Sequence, residues 1–291
     1  MSDPEEIKAE VEIAAAIKAS NSRPKDEAIS GLGPSNAVLH LTSTATPKPQ
    51  YKTTLNADEK PLLFTYFAIQ GLGEVPRLML AEAQMPHEHI AVIGAEDQAL
   101  ALEWRARSPN GLLPTLSRMG IGRFEPLSQS TAIIHFLGKR LGMNGDGSDV
   151  GSARVNVLYE TAKDLNGKKD DIIAVDATKD YSVAKGAFAL GKRIEKMLST
   201  MNDPKDEDAA MNFGQIQLFQ YLVGMEARRP GYVKENLGDN LDEFRVNMGE
   251  RNGLKEYLAS TARFPYTHSD LGQDGGYTYA AGTLTRGDIK Y

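Results

Sequence analysis

Residues 61–93 carry the pattern that most narrows the fold. Leu62-Leu63-Phe64-Thr65-Tyr66-Phe67 is an apolar run with the length of a buried strand. Gly71 and Gly73 break it. From Glu74 to Met85, Val75, Leu78, Met79 and Ala83 fall on one helical face, and Pro76 sits in the first turn, where its missing N–H is not needed. His89 to Ile93 reads as a second strand. Strand, helix and strand at this spacing make a βαβ unit, whose crossover is right-handed in nearly every known case.

The pattern then continues in a set order. Asp97 to Arg105 reads as a less regular helix, and Ser108-Pro109-Asn110-Gly111 is turn chemistry. Leu112 to Leu116 and Gly122 to Glu125 read as two short strands. Ser128 is placed to cap a helix that runs to Leu141, with Ala132, Ile133, Phe136 and Leu137 inward. Asn144 to Ser148 is a linker. From Ser152 to about Ser260 only helices are expected. In that stretch Asn212 and Gln215 have capping-box spacing.

The flanks differ. Ser2 to Ser20 reads as a short helix, with Ile7, Val11, Ala14 and Ala15 on one side. Residues 21–60 are rich in Ser, Thr, Pro, Asn and Lys and cannot bury enough apolar surface to fold alone. They read either as a disordered tail or as an arm that docks on a partner. The expected organisation is an N-terminal extension at 1–60, an α/β domain at 61–142, an all-helical domain at 151–262 and an unassigned tail at 263–291. A chain of 291 residues has room for about two domains.

Composition closes several routes. The net charge of −6 lacks the basic balance of a nucleic-acid binder. Without cysteine there is no disulfide framework, thiolate metal site or cysteine nucleophile, so any sulfur chemistry needs a sulfur brought by a ligand. Five scattered His, with only His87 and His89 close in sequence, suggest no metal site. No apolar run approaches the ~18 residues of a membrane span. The acidic opening matches neither a secretory signal nor an Arg-rich transit peptide. A cytoplasmic location is expected, with an organelle matrix as the alternative.

Three segments carry a resemblance. Tyr66-Phe67-Ala68-Ile69-Gln70-Gly71-Leu72-Gly73-Glu74-Val75-Pro76-Arg77 resembles the start of the sigma, mu and pi classes of glutathione S-transferase. Asn110-Gly111-Leu112-Leu113-Pro114-Thr115-Leu116 is similar to that family's Gly-x-Leu-Pro-x-Leu segment. Ser128-Gln129-Ser130-Thr131-Ala132-Ile133 resembles its Gln-Ser-x-Ala-Ile segment. They occur in order over about 80 residues. The resemblance implies a thioredoxin-like N-terminal domain followed by an all-α C-terminal domain, and glutathione as co-substrate.

It also implies roles. The thiol of glutathione has a reference pKa of about 8.5, so a transferase must stabilise the thiolate. Tyr66 would donate its phenol O–H to that sulfur, beside the free N–H groups of the helix that begins at Glu74. The alternative is a tyrosine merely packed at a strand end. Pro114 would be a cis-proline that exposes the Leu113 backbone to glutathione, rather than a trans proline opening an edge strand. Gln129 and Ser130, at a helix start, would grip the γ-glutamyl end. Asp164 would reach the γ-glutamyl amine across a dimer. Trp104 would donate to the glycine carboxylate, with Arg107 supplying charge. Leu72 departs from the family, since several classes carry Arg there, and the interval from Trp104 to Pro114 is shorter than usual. The expected partners are glutathione, a hydrophobic electrophile, and either a second copy of the chain or a protein bound by residues 1–60. A competing reading is a non-catalytic subunit of this fold, held in an assembly by its two extensions.

Overall fold

The computed structural model describes residues 38–52, 61–92, 98–119, 126–167, 182–260, 262–264, 279–280 and 283–284. The expected helix at 2–20 and the expected strand at 122–125 lie outside them. A five-stranded sheet runs in the order β1 (Val38–Ser43), β3 (His87–Val92), β2 (Leu62–Phe67), β4 (Thr115–Ser117), β5 (Leu127–Ser128). β2 and β3 are parallel, joined through helix α1 (Glu74–Glu82), as the βαβ pattern requires. β4 pairs antiparallel with β2, and β5 antiparallel with β4. β2 is buried along its length except at Leu63, as its apolar run and its place between β3 and β4 require, and Leu62 and Phe64 are fully buried.

β1 departs from the expected organisation. It lies inside the segment read as an extension, yet it pairs antiparallel with β3 from Val38↔Val92 to Ser43↔His87. The reason is general. An edge strand presents unpaired N–H and C=O groups that an extended segment can satisfy whatever its side chains. Leu41 and Ser43 turn inward while His40 and Thr42 face out, the two-residue alternation of a half-buried strand. The sheet therefore reaches back to Val38, beyond the expected start at residue 61.

After β1 the chain crosses to the far end of α1. The Lys48 N–H bonds the Ala83 carbonyl, and the Lys52 N–H bonds the Leu141 carbonyl. α2 (Gln98–Arg105) and α3 (Ser130–Leu141) complete the α/β part. The expected cap at Ser128 is corrected. Ser128 pairs with Thr115 in the sheet, which commits its backbone to an extended form, and Gln129 turns the chain into α3 with φ 75° and ψ 118°. A non-glycine residue at positive φ stores strain, and such residues cluster at functional sites.

Among the described residues the remaining elements are helices, apart from a two-stranded pairing of Tyr279–Ala280 with Thr283–Leu284. The helices are α4 (Asp149–Gly167), α5 (Ser182–Leu198), α6 (Phe213–Arg228), α7 (Tyr232–Leu237), α8 (Asp239–Glu250) and α9 (Leu254–Ala259). α6 is the central one and packs on α4, α8 and α1. Its start is the expected capping box. The Gln215 N–H donates to Asn212 Oδ1 at 3.0 Å, and the Asn212 N–H donates to Gln215 Oε1 at 3.1 Å. Phe213, Ile216, Phe219 and Leu222 are buried along it, each contributing about 1.5–3 kcal/mol. Among the described residues no helix is long and apolar enough to cross a membrane.

Candidate active site

Strand register builds the site. Thr65 pairs with Thr115, and Thr115 pairs with Ser128. The next residues at that end of the three strands are Tyr66, Pro114 and Gln129. Three segments far apart in sequence thus meet at the carboxyl end of β2. The Leu113–Pro114 bond is cis.

The turn after β2 is shaped around the Tyr66 ring. A Cβ at Gly73 would lie 2.2 Å from Tyr66 Cδ1, and one at Gly71 would lie 2.7 Å from the phenol oxygen. Only glycine lets the backbone come so close. The Leu72 N–H donates to that oxygen at 3.1 Å. Leu72 lies in the single turn, Gly71–Gly73, that leads into α1, so this donor is one of the free amides of a helix start. Arg77 holds the turn from below. It donates to the Phe67 carbonyl at 2.9 Å and the Ile69 carbonyl at 2.8 Å, and pairs with Glu74 at 3.0 Å. Its guanidinium carbon lies 5.6 Å from the centre of the Tyr66 ring.

Burial raises the Tyr66 pKa, while the Leu72 N–H and the charges of Arg77 and Arg105 pull it back only in part. The phenol is therefore neutral at physiological pH. Its oxygen accepts from Leu72 with a lone pair, which leaves its own hydrogen to donate. Tyr66 lines a cavity of about 430 Å³ between the α/β part and the helices, a size ordinary for ligand pockets. Gly71, Leu72 and Val75 form one wall, and Ser130, Thr131 and Ile134 of α3 another. Tyr159, Lys163 and Asn166 of α4 and Gln217, Gln220 and Tyr221 of α6 complete it.

Of the residues singled out from sequence, Tyr66 and Ser130 line this cavity. Leu113, Pro114 and Gln129 sit beside it at the strand ends but are not part of its lining. Trp104 is half-buried against the core, and the Arg107 guanidinium stacks 4.0 Å from its ring centre. Arg107 also pairs with Glu103 at 2.8 Å, so its charge is engaged within α2 and the loop that follows. Asp164 is exposed on α4, whereas its neighbour Lys163 faces the cavity. No group of three His, Asp or Glu among the described residues is arranged to hold a metal ion.

Sequence reading missed the helical wall. Tyr159, Lys163 and Asn166 are spaced i, i+4, i+7 on α4, and Gln217, Gln220 and Tyr221 are spaced i, i+3, i+4 on α6. Each set shares one helix face. A polar face reads as a solvated one in the sequence, and only the packing of α4 on α6 makes it a cavity wall.

Comparison with known proteins agrees with this architecture. No family model matches the chain. It is 30% identical over 212 residues to glutathione S-transferase P of Caenorhabditis elegans, covering 69% of this chain and 93% of that protein. It is 25% identical over 231 residues to glutathione S-transferase 1 of Ascaris suum, covering 75% of this chain and all of that protein. Among solved structures, the pi-class glutathione S-transferase of Onchocerca volvulus superposes with a TM-score of 0.53 at 24% identity, over 68% of this chain and 92% of that one. The Ascaris lumbricoides enzyme gives 0.52 at 24% identity, over 69% and 97%. The chain belongs to the glutathione S-transferase family: its fold is a thioredoxin-like N-terminal domain followed by an all-helical C-terminal domain.

Proposed function

We propose that this protein binds glutathione and transfers it to an electrophilic small molecule, with Tyr66 holding the sulfur as a thiolate. The observation that carries this reading is the Tyr66 hydroxyl: neutral, fixed by the Leu72 N–H, and at the edge of an open cavity. A neutral phenol donates a hydrogen bond that is stronger to an anionic sulfur than to a thiol. The thiol proton passes to solvent. The sulfur then gives its electron pair to the electrophilic carbon, while Tyr66 keeps its own proton throughout.

In this reading the backbone of Leu113 next to Pro114 lies along the cysteinyl part of glutathione, and Gln129 and Ser130 take its γ-glutamyl end at the start of α3. Trp104 and Arg107 serve the glycine carboxylate, and Asp164 acts across a homodimer. The two working parts divide as residues 61–142, to whose sheet Val38–Ser43 adds an edge strand, and 151–262. The dimer has a candidate face on α4 and α5, where exposed Val150 and Val157 border an apolar groove of about 780 Å³. The location that fits is the cytoplasm. The competing reading, a non-catalytic subunit anchored by its extensions, loses part of its ground because residues 38–52 bond within their own chain.

The test is Tyr66→Phe. Turnover of a generic aryl halide with glutathione should fall roughly a hundredfold, the usual cost of losing one donor at a developing anion. Retention on immobilised glutathione should persist. Unchanged turnover would remove Tyr66 from the mechanism.

A further inference from the structure

The helical wall of the cavity contains groups that a plain hydrophobic acceptor would leave unused. Gln217 and Gln220 are 3% and 7% exposed, and their side-chain amides make no hydrogen bond among the described residues. Their amide atoms open onto the cavity and are not sealed in the core, one helical turn apart. An apolar ligand that covered them would leave two amides without partners, at about 1–3 kcal/mol each, whereas a ligand with polar atoms would satisfy them. Beside them Lys163 is, among the described residues, the one charged side chain of the lining. Its ammonium lies 5.3 Å from the centre of the Tyr159 ring and 2.9 Å from Glu160. That ion pair is exposed on both sides, so it is weak and easily exchanged for a better anion. Hydrogen bonding to Glu160 raises the Lys163 pKa, which keeps the ammonium charged.

We infer that the acceptor end of this cavity selects an electrophile bearing a carboxylate, which Lys163 and the amides of Gln217 and Gln220 hold while its reactive carbon faces the sulfur at Tyr66. The cation decides the sign of the ligand, since the amides alone would accept donors and acceptors equally. The expected hydrophobic electrophile would then also carry an anionic group. This rests on the glutathione-transfer reading above, because the reacting sulfur comes from there. With an aryl chloride the C–S bond forms, the C–Cl bond breaks, chloride leaves with its electron pair and the thiol proton goes to solvent.

The test uses the full chain and two readouts. In the first, calorimetry compares binding of dinitrobenzoate with that of its methyl ester, neither of which can react. The carboxylate should bind about tenfold tighter, the worth of one charge-assisted contact. Lys163→Met should abolish that preference, and Gln217→Leu with Gln220→Leu should weaken it, while the thermal midpoint reports that each variant is folded. Equal binding of acid and ester, or a preference that survives Lys163→Met, overturns the inference whether or not the protein is an active transferase. In the second, turnover of chlorodinitrobenzoate and its methyl ester is measured with glutathione, each rate divided by its uncatalysed rate. A preference for the acid that Lys163→Met removes, with KM for glutathione unchanged, supports the inference. A Lys163→Met effect confined to KM for glutathione overturns it by assigning the lysine to the tripeptide. Turnover of both substrates with no preference also sinks it but leaves the transfer reading standing.

Discussion

The two ends of α1 each bury a glutamate against an arginine, and they are built in opposite ways. At the amino end, Glu74 pairs with Arg77 one turn on, and Arg77 also donates to carbonyls eight and ten residues back. Tyr257 adds a hydrogen bond to Glu74 at 3.0 Å from far along the chain. At the carboxyl end, Glu82 Oε1 gathers Tyr51 at 2.7 Å, Lys48 at 3.3 Å and Arg251 at 2.7 Å, from 31, 34 and 169 residues away. Arg251 then caps the carbonyls of Pro204, Asp206 and Ala209. The first cluster shapes a turn and fixes the phenol. The second ties the segment after β1, the α/β part and the helical part into one body. The amino-end cluster is local at its centre, with Tyr257 and Arg263 reaching it from the helical part, whereas every partner of Glu82 comes from far along the chain.

The largest expected break is Glu82→Ala. It leaves Arg251, 1% exposed, as a buried cation without its carboxylate, which costs about 3–5 kcal/mol. The urea midpoint should drop accordingly, and adding Arg251→Met should recover part of the loss. If Glu82→Ala changes stability by less than about 1 kcal/mol, this joint does not tie the domains together.

Next in size is a pH effect just beyond the carboxyl end of α1, where β3 begins. His87 is buried in β3, with Nδ1 2.7 Å from the Met85 carbonyl, and burial pushes its pKa down from 6.5 to about 4. Between those values the unfolded chain binds the proton and the folded one does not. Stability from this group is therefore complete above about pH 6.5 and falls as pH drops toward 4, by up to about 3 kcal/mol. Denaturant midpoints across that range should show the slope, and His87→Gln should flatten it.

Gly73→Ala sharpens the contrast from the site side. The Gly73 φ is −87°, so the backbone tolerates alanine, and the objection is the Tyr66 ring alone. We expect about 2 kcal/mol of destabilisation from overpacking and a larger proportional loss of turnover, because the phenol must move. A variant with lost stability but intact kcat would mean that the ring position does not matter for chemistry.

The smallest effect is Tyr51→Phe. Burial pushes the Tyr51 phenol up, so it stays neutral, donating to Glu82 and accepting the Met211 N–H at 2.9 Å. Its loss should cost about 1.5 kcal/mol without touching turnover, as read by thermal midpoint and by rate. A change in rate would show that the two ends of α1 are coupled.

The sequence by itself determined the βαβ core, the capping box at Asn212 and the glycine turn after Phe67, while the cis bond before Pro114 was legible only through the family resemblance. The first three arise from apolar periodicity or from residues within a dozen positions of one another, which a linear text preserves. It did not determine β1, because backbone hydrogen bonds to an open sheet edge leave little signature in side chains. Nor did it mark Lys163, Gln217 and Gln220 as cavity residues, or Lys48, Tyr51, Glu82 and Arg251 as one cluster. A polar residue looks the same in sequence whether it faces water, a ligand or a buried partner. Which of the three it meets is set when the helices pack, and burial alone decides what that meeting is worth.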